Sequence, residues 1–265
     1  MTALRLGVVN YLNALPLWEA LRNEPGIELI PDVPSKLAAQ LAEGTLDAGL
    51  LPAIEYFRAQ DVVIAPGVCI GCFGPVKSVR LFHRVPVGKI LTLASDPGSR
   101  TSNVLAQVLL ADHYNIRPQL TTGNGTVDNP IPIGADAAVV IGDPALIALE
   151  RSTTPSIDMG EAWREMTGLP FVFAAWLVRR GSATAALFAT LKKAADKGLG
   201  RIDQSAQDYG PKLGLDAGNV ADYLRSNIRF TLGERELEGL AGFGRRAARL
   251  GLAPERRVET AQGLF

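Results

Sequence analysis

The chain has 265 residues, 47% of them hydrophobic and 20% charged, enough for a sizeable buried core and unlike the composition of a disordered polypeptide. Its 27 Lys and Arg cancel 27 Asp and Glu, so no overall field exists to hold a polyanion. Nucleic acid and anionic membrane are set aside as main partners in favour of a small molecule.

Residues 1–10 lack the apolar run and small-residue cleavage site of a secretory signal. Leu4 to Val9 reads as a strand, followed by the turn-prone Asn10-Tyr11-Leu12-Asn13 and a helix from Pro16 with Leu15, Trp18 and Leu21 three residues apart. Ile27 to Ile30 is a second strand. Pro34-Ser35 opens a helix carrying Leu37 and Leu41, Gly44 closes it, and Asp47 to Leu51 resumes a strand. This alternation predicts an α/β layered fold with a largely parallel sheet. From Val62 to Phe82, extended stretches broken by Gly67, Gly71, Gly74 and Pro75 read as consecutive strands.

After Pro86-Val87-Gly88 the alternation restarts. Ile90 to Ala94 is a strand, Asp96 to Ser99 a turn, and Val104, Leu105, Val108 and Leu109 mark one helix face. Ala135 to Ile141 reads as strand and Pro144 to Leu149 as helix, before a Gly-Leu-Pro break at 168–170. Residues 171–179 are β-rich, and everything after Gly181 reads as helical. The longest apolar run, Phe171 to Val178, is strand-sized and far short of the roughly 18 residues a bilayer span needs. Punctuation near 86 and 170 predicts two lobes with a ligand cleft between them: a discontinuous first lobe of 1–86 and 173–265, and a second of 87–172.

Chemistry concentrates where strands hand over to helices. Ser99-Arg100-Thr101-Ser102-Asn103 places backbone N–H groups and three hydroxyls at a helix start, which suits an anion. Plain capping accounts for one hydroxyl, worth about 1 kcal/mol, whereas three plus Arg100 exceed that need. The 10–13 loop ends the first strand, where open α/β sheets place ligands. Asn10 and Asn13 are also ordinary turn formers, and Asn13 is the better candidate because an amide donates and accepts at once. Glu55 after the third strand either faces the cleft or is an early-helix carboxylate favoured by the dipole. Of Lys77 and Ser78 strand alternation lets one point inward, and Ser78 is preferred. Asp143 reads first as a helix N-cap and second as a cleft residue. Cys69 and Cys72 have the C-x-x-C spacing but lie in a β-like run, and His83 and His113 have no ligand-like spacing to them, so packing is favoured and no metal is expected. Two cysteines form no disulfide framework, and a cytoplasmic location follows as the expectation. The Arg-rich end from Arg245 to Arg257 is read as a solvated helix face. No nucleophile elbow, Walker loop, dinucleotide fingerprint or H-E-x-x-H is present.

Taken together, Gly7 to Leu17, Leu46-Asp47…Leu51-Pro52…Glu55-Tyr56, Gly74 to Val79, Ser99 to Ser102, Ile141 to Leu146, and Asp158 to Trp163 with Thr167 to Trp176 resemble the chorismate dehydratases of the futalosine route to menaquinone. The resemblance runs from residue 4 to about 180 and is specific in combination. It implies a two-lobed type 2 periplasmic-binding-protein-like fold and a hydro-lyase that converts chorismate, a dicarboxylate, to 3-(1-carboxyvinyloxy)benzoate without a cofactor. It further implies that Asn13 orients the reacting groups and that the substrate's own enolpyruvyl carboxylate is the base. Tyr11, Glu55, Ser78, Ser99, Arg100, Thr101, Ser102 and Asp143 are the expected substrate-binding residues. The alternatives are 1,4-dihydroxy-6-naphthoate synthase of the same pathway and a non-catalytic small-anion-binding protein.

Overall fold

A computed structural model describes residues 3–261. Its strands in chain order are β1 (Leu4–Val8), β2 (Ile27–Pro31), β3 (Ala48–Pro52), β4 (Val62–Cys72), β5 (Val79–His83), β6 (Thr92–Ser95), β7 (Gln119–Thr122), β8 (Ala137–Ile141), β9 (Ser156–Asp158), β10 (Phe171–Arg179) and β11 (Arg229–Leu232). They make two sheets, ordered β2-β1-β3-β10-β4-β11 and β7-β6-β8-β5-β9. Each sheet has a parallel trio (β1 with β2 and β3 in the first, β6 with β7 and β8 in the second), and one antiparallel strand lies next to the last strand of the trio, β10 beside β3 and β5 beside β8. The expected largely parallel sheet is therefore two mixed sheets. The inserted strands, β10 and β5, are the first that the chain builds after crossing from the other sheet, and they enter in the opposite direction.

The chain leaves the first sheet after Cys72 and joins the second at Val79. The crossing turns on Gly74 (φ +107°) and Lys77 (φ +60°), left-handed conformations that a strand excludes. β5 lies inside the 1–86 span expected for the first lobe, yet pairs with β8 and β9. The Pro86-Val87-Gly88 punctuation is a short 3-10 turn between β5 and β6, within the second sheet. The return runs through the Met159–Thr167 helix into β10. β11 corrects the all-helical reading of the C-terminal third. Its four residues alternate exposed and buried against β4, a pattern too short to stand out among amphipathic helices. Residues 1, 2 and 262–265, included in the first-lobe expectation, lie outside the described residues.

β4 and β10 are buried almost end to end because both faces of their sheet are covered, which explains their unbroken apolar runs. Trp163, Phe171 and Phe243 meet edge to face, tying the return helix, β10 and the Glu234–Arg249 helix together. Each sheet reverses its strand order within its parallel trio, between β1 and β3 and between β6 and β8. Those are the switch points beyond whose C-terminal strand ends an α/β sheet leaves a crevice.

Candidate active site

The two sets of strand ends close on one crevice of about 570 Å³, counting its open mouth. The first sheet contributes Val9, Asn13 and Pro52, the second Ser99, Thr101 and Gly142. Among the described residues, no charged side chain lines it. A mostly apolar wall with a few convergent amides and hydroxyls is the usual make-up of a small-molecule site.

The loop after β1 is held from three sides. Trp18 Nε1 donates to the Val9 carbonyl at 3.1 Å and fixes the strand's exit. Behind the loop, Gly198 of the Ala185–Leu199 helix sits so close to Pro16 that a Cβ there would lie 2.0 Å from its carbonyl oxygen. In front, Leu12 N donates to Asp143 Oδ1 at 3.3 Å. Tyr11 reaches over the second sheet: its ring covers Gly142 and its hydroxyl lies beside Gly98, so a Cβ would fall 2.9 Å from the ring at the first and 3.0 Å from the hydroxyl oxygen at the second. Gly142 adopts φ +64°, and both its conformation and this contact exclude a side chain. Burial raises the Tyr11 pKa, and the nearby Asp96 and Asp143 carboxylates raise it further.

On the opposite wall, the Thr101–Asp112 helix starts at the crevice. Ser99 Oγ accepts from Ser102 N at 3.2 Å, an N-cap in function, and Asn103 Nδ2 donates to the Asp96 carbonyl at 2.7 Å. Asp96 binds Gly98 N at 2.8 Å and Ile141 N at 3.2 Å, which ties the 96–99 turn to the end of β8. Thr101 Oγ1 accepts from Ile54 N at 3.1 Å, a bond between elements of the two sheets, and its proton stays available to a ligand.

Of the residues expected from sequence, Tyr11, Asn13, Ser99, Thr101 and Ser102 line the crevice. Glu55, Arg100, Ser78 and Asp143 do not line it. Glu55 is buried and held by Arg100 Nε at 2.5 Å and Arg58 Nη1 at 3.1 Å, so the Arg100 pair links the helix after β3 to the start of the helix after β6. Asp143 caps nothing: its helix begins one residue earlier, at Gly142, and the carboxylate instead accepts from Leu12 N. Burial pushes its pKa up to about 6 against the opposing pull of that N–H. Ser78 is fully buried and accepts from Tyr223 Oη at 2.7 Å, and that same oxygen accepts from Asn13 Nδ2 at 3.2 Å. Tyr223 was not foreseen. It lies in the Ala217–Ser226 helix, and the local pattern marks only that helix's Asp216 cap.

Cys69 and Cys72 are buried free thiols whose pKa values burial raises, in keeping with a packing role. His83 Nδ1 sits 2.9 Å from the Val85 carbonyl and His113 packs on Tyr114, both away from the crevice. Among the described residues, no group of three or more His, Cys, Asp or Glu could hold a metal ion, and no helix is long and apolar enough to cross a membrane.

Residues 4–249 match the family described as Menaquinone biosynthesis. The chain belongs to that family. Two curated relatives are chorismate dehydratases. That of Thermus thermophilus is 31% identical over 256 residues, covering 90% of this chain and 93% of the relative. That of Campylobacter jejuni is 29% identical over 255 residues, covering 93% and 99%. The periplasmic aliphatic sulphonate binding protein SsuA of Escherichia coli superposes with a TM-score of 0.67 at 18% identity, covering 99% of this chain and 91% of SsuA. This menaquinone-biosynthesis protein thus has a periplasmic-binding-protein-like fold.

Proposed function

We propose that the chain is a chorismate dehydratase, a carbon–oxygen hydro-lyase of menaquinone biosynthesis that forms 3-(1-carboxyvinyloxy)benzoate. The observation that carries the reading is the identity of 29% and 31% to two chorismate dehydratases across nine-tenths or more of the chain. The crevice supports it chemically. Chorismate is a dianion, and the start of the Thr101–Asp112 helix, with Ser99, Thr101 and Ser102, offers it N–H groups and hydroxyls at the positive end of a helix dipole. Each charge-assisted bond is worth roughly 1.5–3 kcal/mol.

In the reaction, the ring carbon bearing the enolpyruvyl ether loses its proton. The electron pair left behind forms a ring double bond as the neighbouring hydroxyl departs, and proton and hydroxide together make the water released. Aromatisation supplies the driving force. Among the described residues, no histidine or carboxylate lines the crevice, and Glu55 is already occupied by two arginines. Both facts support the substrate's own enolpyruvyl carboxylate as the proton acceptor. Asn13 orients the reacting groups, and closure of the crevice fixes the substrate conformer and excludes water. The reading includes two lobes centred on the two sheets. It includes a cytoplasmic location, supported by the two free thiols.

The test is to mix purified protein with chorismate and follow the ultraviolet spectrum. An aromatic product formed without additive supports dehydration. Chorismate that binds and stays unconverted overturns it in favour of the small-anion-binding alternative.

A further inference from the structure

We propose that Tyr223 is a positioning residue for this dehydration: it holds the Asn13 amide in one orientation and so decides which polar atom of Asn13 faces the substrate. The inference rests on the function proposed above. Its observation is a three-member chain of hydrogen bonds assembled from distant parts of the sequence. Asn13 Nδ2 donates to Tyr223 Oη at 3.2 Å, and Tyr223 Oη donates to Ser78 Oγ at 2.7 Å. Tyr223 is 3% exposed and Ser78 fully buried, so no water competes for the phenol. An asparagine side chain has two faces of opposite polarity, and which one points into a site depends on the partner of the other. With Nδ2 engaged by Tyr223, the Oδ1 of Asn13, which accepts no hydrogen bond among the described residues, is the atom presented to the crevice.

The chain also runs in a single direction. Because the phenol proton is given to Ser78, the oxygen that meets Asn13 is an acceptor and calls for the amide N–H. Cooperative polarisation along such a series strengthens each member. Burial raises the Tyr223 pKa, so the phenol keeps its proton across the working range. Removing the phenol oxygen alone leaves the ring in place but frees the amide to rotate. The consequence falls on turnover rather than on binding.

The experiment compares wild type, Tyr223→Phe, Asn13→Ala and the double variant in steady-state conversion of chorismate, with unfolding midpoints measured alongside. Y223F is expected to fold and to lose about tenfold in kcat, one network hydrogen bond's worth, with KM within about twofold. The double variant should fall no more than about twofold below Asn13→Ala alone, because the two residues act as one unit. Wild-type kcat in Y223F, a change confined to KM, or losses that multiply independently would overturn the inference. Should Y223F not fold, Ser78→Ala removes the phenol's acceptor and keeps the ring. The same kcat-specific loss supports the inference, and unchanged kcat refutes it. A wild-type protein that leaves chorismate unconverted defeats the functional reading itself, and the positioning role falls with it. An active wild type with an equally active Y223F defeats only the role of Tyr223.

Discussion

Asp143 gives the most quantitative handle on how this crevice is built. Its carboxyl is moved by burial from an ordinary 3.8 to about 6, although Leu12 N–H pulls the other way. The native state therefore holds a proton on Asp143 up to about pH 6, whereas the unfolded chain releases it near 3.8. Between those values the native state binds more protons than the unfolded one, so stability falls as pH rises through that window and is level above it. At about 1.36 kcal/mol per tenfold in proton affinity, the full effect is about 3 kcal/mol. Asp143→Asn keeps an oxygen for Leu12 N–H and removes the half-buried charge. It should stabilise the protein at pH 7 by an amount of that order, a rise in Tm of roughly 5 °C for a chain of this length. At pH 4 the advantage should nearly vanish. The half-buried Asp96, whose pKa desolvation also raises, is present in both proteins, and its contribution cancels in the difference. Denaturant or thermal unfolding of both proteins at the two pH values is the measurement. An Asp143→Asn protein that is less stable at pH 7, or whose advantage persists at pH 4, would refute the reasoning.

Other expectations follow from the same geometry. Asn13→Ala should lower kcat by roughly 10²-fold with a much smaller change in KM, as for other preorganised polar groups at a reacting centre; steady-state kinetics with chorismate checks it. Ser99→Ala and Thr101→Ala should each weaken chorismate binding roughly tenfold, the worth of one charge-assisted bond. They should also cost about 1 kcal/mol of stability, since Ser99 caps its helix at Ser102 N and Thr101 accepts from Ile54 N. Titration calorimetry and unfolding curves separate the two effects, and unaltered affinity in both variants would make these hydroxyls caps alone.

Much of the site is legible in sequence because it is local. The Asn10–Asn13 turn follows an apolar run, and the hydroxyl cluster at 99–102 stands at a strand-to-helix junction, so composition over a few residues exposes both. The same local logic misjudged Asp143 as a cap, and it placed Glu55 correctly in the first turn of its helix without showing its partner across the sheets. A carboxylate in a helix's first turn resembles a cap or a dipole partner, but Asp143 meets Leu12 N, 131 residues away, and Glu55 adds to its neighbour Arg58 a second arginine, Arg100, 45 residues away. Tyr223 had no local signal at all.

What the sequence determined by itself was the alternation of strands and helices, the amide and hydroxyl groups placed at strand-to-helix junctions and the family to which its motifs belong, since these depend on periodicity and residue type along the chain. Tertiary structure alone decided that β5 crosses into the second sheet, that β11 is a strand, and that Asn13, Tyr223 and Ser78 share one hydrogen-bonded series across 210 and 145 residues. Those outcomes depend on which buried polar groups find partners once the two sheets meet, and a buried donor's requirement for an acceptor is met in space rather than along the chain.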